Sequence, residues 1–124
     1  MGSGIAKLFQ GYIRTIRYDV GTNAGPPTQK GWLIIGGVLN HATGTASELN
    51  ILDKSGQWTI ERLVSYAAGL ASGIYPIFNQ AETTTNVVLG SLWTMNLLTN
   101  DEIVHMDGGA GGGGYLKVIE FDLT

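Results

Sequence analysis

Side chains that alternate with a period of two residues dominate the two ends of this chain. Residues 12–20 read YIRTIRYDV, with tyrosines, isoleucine and valine recurring at every second position. Residues 115–123 alternate in the same way, with Glu120 and Asp122 on the face that we expect to be solvated. Successive side chains of a strand point to opposite faces, so this period is the signature of β-strands rather than helices.

Short apolar runs lie between the two alternating ends, separated by glycine and turn residues. Residues 31–39 form such a run, which predicts a strand buried on both faces, and its paired Gly36 and Gly37 indicate a bulge or a close backbone approach. Pro76 places the run 74–78 at a sheet edge, because proline cannot donate a ladder hydrogen bond. The sequence therefore predicts one mainly β domain over residues 1–124, a compact antiparallel sandwich or barrel-like fold of about six to eight strands.

Two segments carry helical signals within this β pattern. Thr45 and Glu48 fit a capping box, in which each side chain bonds the other residue's backbone N–H, and this predicts a two-turn helix over residues 46–53. Residues 60–68 are ambiguous, because apolar side chains occur at helical spacing while residues 58–63 also alternate. We favour a helix there, with a strand as the alternative.

Composition excludes several functional classes. The 124 residues contain no cysteine, so no disulfide or cysteine-based metal site can form, and seven Lys and Arg against ten Asp and Glu leave no basic surface for nucleic acid. No apolar run approaches the roughly 20 residues that a membrane helix needs. We therefore expect neither nucleic acid nor membrane as a partner.

Charged residues make up only 14% of the chain, about half of what the surface of a small soluble domain commonly carries. One interpretation is an all-β protein whose surface is rich in hydroxyl and amide groups. The interpretation we favour is that other subunits cover much of the surface, because unpaired buried charges are costly.

Motifs with catalytic chemistry are weak in this sequence. Gly109, Gly111 and Gly114 match a dinucleotide-binding spacing, but a strand-like tail follows them where that motif requires a helix. His41 and His105 are the only histidines, and neither has a second histidine at metal-ligand spacing. We expect no enzyme activity, no cofactor and no metal.

The segment TASELNILD, residues 45–53, resembles the T-A-x-E-L-N-x-L-D motif of tailed-bacteriophage virion proteins, especially head fibres, tail fibres and capsid decoration proteins. In that family the motif forms short helices packed around a threefold axis. The resemblance thus implies a homotrimer with an interface at Thr45, Glu48, Leu49 and Leu52.

The resemblance and the shortage of charge together favour a non-enzymatic virion structural protein, most consistent with a capsid decoration or cement protein that bridges subunits of the major capsid protein on the capsid surface. The N-terminal arm (1–8) and the glycine-rich loop (108–114) are the expected capsid-facing segments, with contacts at Ile5, Leu8, Gly111 and Gly112. The alternatives are a fibre or baseplate component that binds a host receptor or glycan, which requires an exposed aromatic cleft, and a small enzyme, which requires a deep pocket.

Overall fold

The computed structural model describes residues 10–77, 87–89 and 96–123, with only the backbone described at 87–89 and 96. Within these residues every regular element is a strand, as the sequence predicts for most of the chain. The strands are β1 (Tyr12–Asp19), β2 (Asn23–Ala24), β3 (Lys30–His41), β4 (Ser47–Asp53), β5 (Thr59–Tyr66), β6 (Gly73–Pro76), β7 (Val87–Leu89), β8 (Asn96–Leu98), β9 (Glu102–Asp107) and β10 (Gly113–Asp122).

Two antiparallel sheets are built from these strands. Sheet A has the order β1-β10-β3-β6, with β8 also paired to β3, and sheet B has the order β2-β9-β4-β5-β7. The proline-containing strand β6 lies at the end of sheet A, where the sequence predicts an edge strand. The mainly β, antiparallel character of the fold is therefore confirmed.

A single apolar core receives side chains from the inner faces of both sheets. Ile34, Leu116 and Val118 of sheet A are fully buried, and so are Leu49 and Met106 of sheet B. Burying a side chain of this size contributes roughly 1.5–3 kcal/mol, so this core is the main source of stability. No helix among the described residues has the length and apolar character needed to cross a bilayer.

The two glycines in the middle of β3 mark a bulge, as expected. Opposite β10 the register shifts between Lys117 and Val118, which leaves Ile35 as the extra residue. Gly37 follows at a φ of +149°, and a Cβ atom there would collide with the carbonyl oxygen of Tyr115. The bulge therefore depends on the absence of a side chain at Gly37.

The helix predicted over residues 46–53 is wrong, since this segment is strand β4. β4 pairs with β5 along one edge and with β9 along the other, so sheet hydrogen bonds replace those of a helix. Leu49 is 0% and Leu52 8% exposed in the chain's own fold, and neither can pack into a neighbouring subunit at a threefold axis. The capping box does not form, because Thr45 lies in an exposed turn and the Glu48 carboxylate accepts a hydrogen bond from Arg62.

The helix favoured over residues 60–68 is also wrong, and the strand alternative is correct. β5 pairs with β4 and β7, and two register irregularities against β4 interrupt its alternation. These bulges bury the adjacent Leu63 and Val64 together, which produces an apolar spacing that resembles a helical face.

The two predicted capsid-facing segments have different outcomes. The N-terminal arm, with Ile5 and Leu8, lies outside the described residues. The glycine-rich loop ends at residue 112, because Gly113 and Gly114 already pair with β1 and β3. Its backbone is tied down by hydrogen bonds from Gly112 N–H to the Gly109 carbonyl and from Val20 N–H to the Gly112 carbonyl.

Candidate functional site

Four aliphatic side chains form a continuous row across the outer face of sheet A. Ile13 pairs with Ile119, Ile119 with Leu33, and Leu33 with Leu97, so one apolar residue comes from each of β1, β10, β3 and β8. Directly paired residues share a face of the sheet. In β3 and β10 the residues on either side of the row are buried, so alternation places the row on the opposite, outer face. We call these four residues the apolar row.

The two ends of the apolar row are open to solvent. Ile13 is 64% and Leu97 54% exposed, while Leu33 and Ile119 between them are half-buried. The row exposes on the order of 300 Å², comparable to the largest apolar patch of many soluble monomers, and such patches are often functional. An area of this size suits the apolar centre of an interface that buries about 800 Å² per partner.

Part of the outer face of sheet B has a different character, because polar and charged side chains pair with one another there. The Arg62 guanidinium donates to Asn50 Oδ1 at 3.0 Å and to Glu48 Oε1 at 3.3 Å. His105 contacts Asn23 Oδ1 at 2.7 Å and Asp107 Oδ1 at 3.1 Å. This part of sheet B presents a polar network, whereas the apolar row of sheet A is suited to contact with another protein.

A small groove lies at the other end of the outer face of sheet A. It encloses about 250 Å³ and is separated from the apolar row by Lys117, which donates to Thr15 Oγ1 at 2.7 Å. Along one cross-strand row Tyr115 lies between Arg17 and Val38. Tyr115 is 46% exposed, so an aromatic side chain borders the groove.

The next cross-strand row gives the groove its depth, because its central residue has no side chain. Gly113 lies between Asp19 of β1 and Asn40 of β3. Its φ is +155°, and a Cβ atom there would lie 2.6 Å from the Tyr18 carbonyl oxygen, so another residue fits poorly. The gap between Asp19 and Asn40 is therefore a fixed feature of the backbone.

Gly111 and Gly112, predicted as capsid contacts, form one wall of this groove. The Asn40 side chain donates from Nδ2 to the Gly111 carbonyl at 3.3 Å, which fixes the loop against β3. Both glycines lie near the C-terminal end of β1, whereas Ile13 lies at its N-terminal end. The structure therefore separates these glycines from the apolar row, and their contact with a capsid stays a prediction.

The hairpin between β4 and β5 presents two exposed apolar side chains at a turn that is held by hydrogen bonds to Asp53. Asp53 Oδ1 accepts the backbone N–H groups of Gln57 at 3.1 Å and Trp58 at 3.0 Å, and Ser55 donates to Oδ2 at 2.7 Å. The Ser55 hydrogen bond, together with these backbone donors, holds the pKa of Asp53 below its usual range. Trp58 is 71% and Ile60 52% exposed at this tip, on the sheet opposite to the apolar row.

Glu120 is buried at 3% exposure, although alternation in β10 predicted that it would be solvated. Its carboxylate accepts hydrogen bonds from Tyr12 Oη at 2.7 Å, Arg14 Nη1 at 2.6 Å and Trp32 Nε1 at 2.9 Å. Burial alone raises the pKa of Glu120, but these three donors outweigh that effect and the net pKa is lowered. The group is a satisfied structural anion between β1, β3 and β10.

The histidines occupy structural positions. His41, the last residue of β3, is 1% exposed and contacts Ser47 Oγ through Nδ1 at 2.7 Å, but Ser47 is itself fully buried, so no substrate reaches this pair. Among the described residues no group of three or more His, Cys, Asp or Glu side chains could hold a metal ion.

Sequence reasoning missed the apolar row, because its members come from four strands far apart in the chain. The alternation of residues 12–20 does place Ile13 opposite to the partly buried Ile16 and the buried Tyr18, which is the one local signal. Comparison with protein-family models, with curated proteins and with solved structures found no match. Functional inference therefore depends on these surfaces and on the motif at residues 45–53.

Proposed function

We propose that this chain is a non-enzymatic structural subunit of a tailed-bacteriophage virion, and that it decorates the capsid surface as a homotrimer bound to the major capsid protein. The observation that carries the proposal is the apolar row on the outer face of sheet A, whose two ends, Ile13 and Leu97, are exposed. The row contains no charged side chain. An exposed apolar row of this kind is suited to contact with another protein.

The apolar row is the part of this surface that meets the capsid protein. Strand β1 begins at Tyr12, so the preceding arm, with the predicted contacts Ile5 and Leu8, joins the sheet at the same end as Ile13. Burying the exposed half of Ile13 or of Leu97 on docking contributes about 1–2 kcal/mol for each side chain.

The motif at residues 45–53 supports the class of protein but not the form of the trimer. Its sequence is similar to that of the virion family, yet in this fold it is a core strand with Leu49 and Leu52 buried. A trimer must therefore use surfaces other than a helical axis. Sedimentation velocity of the purified chain measures the trimer directly: a species of about 40 kDa supports it, and a 13.2 kDa species across all concentrations contradicts it.

Binding to empty shells of the major capsid protein encoded in the same genome tests the docking surface. We expect Ile13→Asp and Leu97→Asp each to weaken co-sedimentation at least tenfold, because a buried unpaired carboxylate costs several kcal/mol. Ile60→Asp is the matched control, since Ile60 is 52% exposed on the opposite sheet, and it should bind as the unchanged chain does. Equal binding by all three variants, or no binding by the unchanged chain, contradicts the proposal.

A fibre or baseplate component that binds a host receptor or glycan is the second candidate, and the groove beside Tyr115 favours it. That alternative requires an exposed aromatic cleft, and Tyr115 borders one. Cryo-electron microscopy of the intact particle distinguishes the two: density on the capsid exterior supports decoration, and density on a fibre or baseplate supports the second candidate.

A further inference from the structure

We propose that the groove formed by Arg17, Asp19, Asn40, Gly113 and Tyr115 binds a neutral saccharide through one of its sugar rings. The inference rests on the geometry of the groove and does not depend on attachment to a capsid. It holds for a capsid decoration protein and for a fibre component alike, and it assigns the loop at Gly111 and Gly112 to ligand binding rather than to capsid contact.

The size of the groove limits the ligand. Its volume of about 250 Å³ lies just below the roughly 300–1,000 Å³ of pockets that take drug-sized molecules. A single sugar ring, with the rest of a glycan continuing into solvent, fits this space. No side chain from position 113 occupies the space between Asp19 and Asn40, and the backbone there accommodates only glycine.

The charges of the groove exclude an ionic ligand. Arg17 and Asp19 are 68% and 51% exposed, and the guanidinium donates to Asp19 Oδ1 through long hydrogen bonds of 3.4 and 3.3 Å. One cation beside one anion gives no net attraction for phosphate, carboxylate or ammonium. Hydroxyl groups suit the pair better, because a hydroxyl both donates and accepts and can bond the carboxylate and the guanidinium at once.

The remaining walls match the other features of a sugar. Asn40 lines the groove and donates through Nδ2 to the Gly111 carbonyl. The Oδ1 atom of the same side-chain amide can accept a hydrogen bond from another hydroxyl. Tyr115 supplies an aromatic surface for the C–H groups of a pyranose, and two rotatable bonds make it a low-entropy contact. Val38 and Ile74, on the β3 and β6 side of the groove, extend this apolar surface.

Amide NMR titration with the methyl glycosides of glucose, galactose, mannose and N-acetylglucosamine tests the proposal. We expect at least one of them to give saturable shifts confined to the amides of residues 111–115 and the side-chain amide of Asn40. Tyr115→Ala should weaken that binding about tenfold, equivalent to about 1.4 kcal/mol. Tyr115→Phe should bind nearly as well as the unchanged chain because it keeps the ring.

Two controls make the result decisive. Trp58→Ala removes an even more exposed aromatic side chain from the opposite sheet and should leave the affinity unchanged. Asn40→Ala, which leaves Tyr115 in place, should also weaken binding and serves if Tyr115→Ala does not fold. The proposal is overturned if none of the four glycosides shifts the groove amides, if Tyr115→Ala and Asn40→Ala both bind as tightly as the unchanged chain, or if sulfate shifts these amides and no sugar does.

Discussion

Replacing Leu49 by alanine tests whether residues 45–53 form a strand of the chain's own core or an interface between subunits. In the fold, Leu49 is 0% exposed and pairs with Val64 on one side and Met106 on the other, both fully buried. The substitution removes three buried carbon atoms from a packed core, and such changes cost about 2–5 kcal/mol, including the cavity left behind. Because a domain of this size is typically stable by about 5–15 kcal/mol, the loss is a large share of the total.

Urea unfolding followed by circular dichroism measures this loss, at two protein concentrations. We expect the midpoint to fall by an amount that does not depend on concentration, because the lost contacts lie within one chain. Leu97→Ala is the matched control: Leu97 is 54% exposed, and its truncation should change the free energy of unfolding by less than about 0.5 kcal/mol. A loss below 1 kcal/mol for Leu49→Ala, or one seen only as dissociation of an oligomer, would refute the assignment of Leu49 to the core.

Three further substitutions test other parts of the structure. Because folding lowers the pKa of Glu120, the stability that this carboxylate contributes is present above the ordinary value of 4.5 and is lost as pH falls through the folded pKa. Glu120→Gln should lower the free energy of unfolding by about 1–3 kcal/mol at neutral pH and should make that free energy less dependent on pH in the acid range. An unchanged pH dependence in the acid range contradicts this. Gly37→Ala should lower the thermal midpoint by several degrees and Gly36→Ala should not, since a Cβ atom meets nothing within 4 Å at Gly36; equal midpoints would count against the bulge geometry. Asp53→Ala removes the acceptor for the Trp58 amide and should cost about 0.5–1.5 kcal/mol in urea unfolding, while Asp53→Asn should recover part of that loss; no difference from the unchanged chain contradicts the turn.

Local patterns predicted the strands at both ends of the chain, but the faces predicted for the last one are only partly correct. In β10, Asp122 is exposed as expected, yet Glu120, expected on the same solvated face, is buried and Tyr115 is exposed. Alternation alone cannot decide which face turns inward, and a shift of one residue exchanges the two faces. Three donors that are distant in sequence, Tyr12, Arg14 and Trp32, satisfy the buried Glu120 carboxylate, and the alternation of residues 115–123 carries no signal of them.

The two helical predictions failed for a related reason. A capping box is a local signal worth about 1 kcal/mol, whereas β4 gains a hydrogen-bonded neighbour along both edges and buries Leu49, Ile51 and Leu52. Tertiary context overrides local propensity at this scale. Bulges in the pairing of β4 with β5 also disturb the period of two, so adjacent apolar residues imitate the spacing of a helix.

The candidate surfaces lay mostly beyond the reach of local patterns. The apolar row takes one residue from each of four strands, and the groove combines β1, β3, β6 and β10 with the glycine-rich loop. Composition indicates a shortage of charge, and the apolar row is one surface that carries no charged side chain. The glycine-rich loop was also recognised as a distinct feature, although its contribution to the groove depends on pairings that only the fold defines.

Hydroxyl-radical footprinting of the chain, free in solution and bound within the particle, tests most directly whether the apolar row is the surface that joins the assembly. We predict that Ile13 and Leu97 are labelled in the free chain and protected in the particle, while Trp58 and Ile60 are labelled in both. Continued labelling of Ile13 and Leu97 in the particle, together with protection of Trp58 and Ile60, would contradict the account.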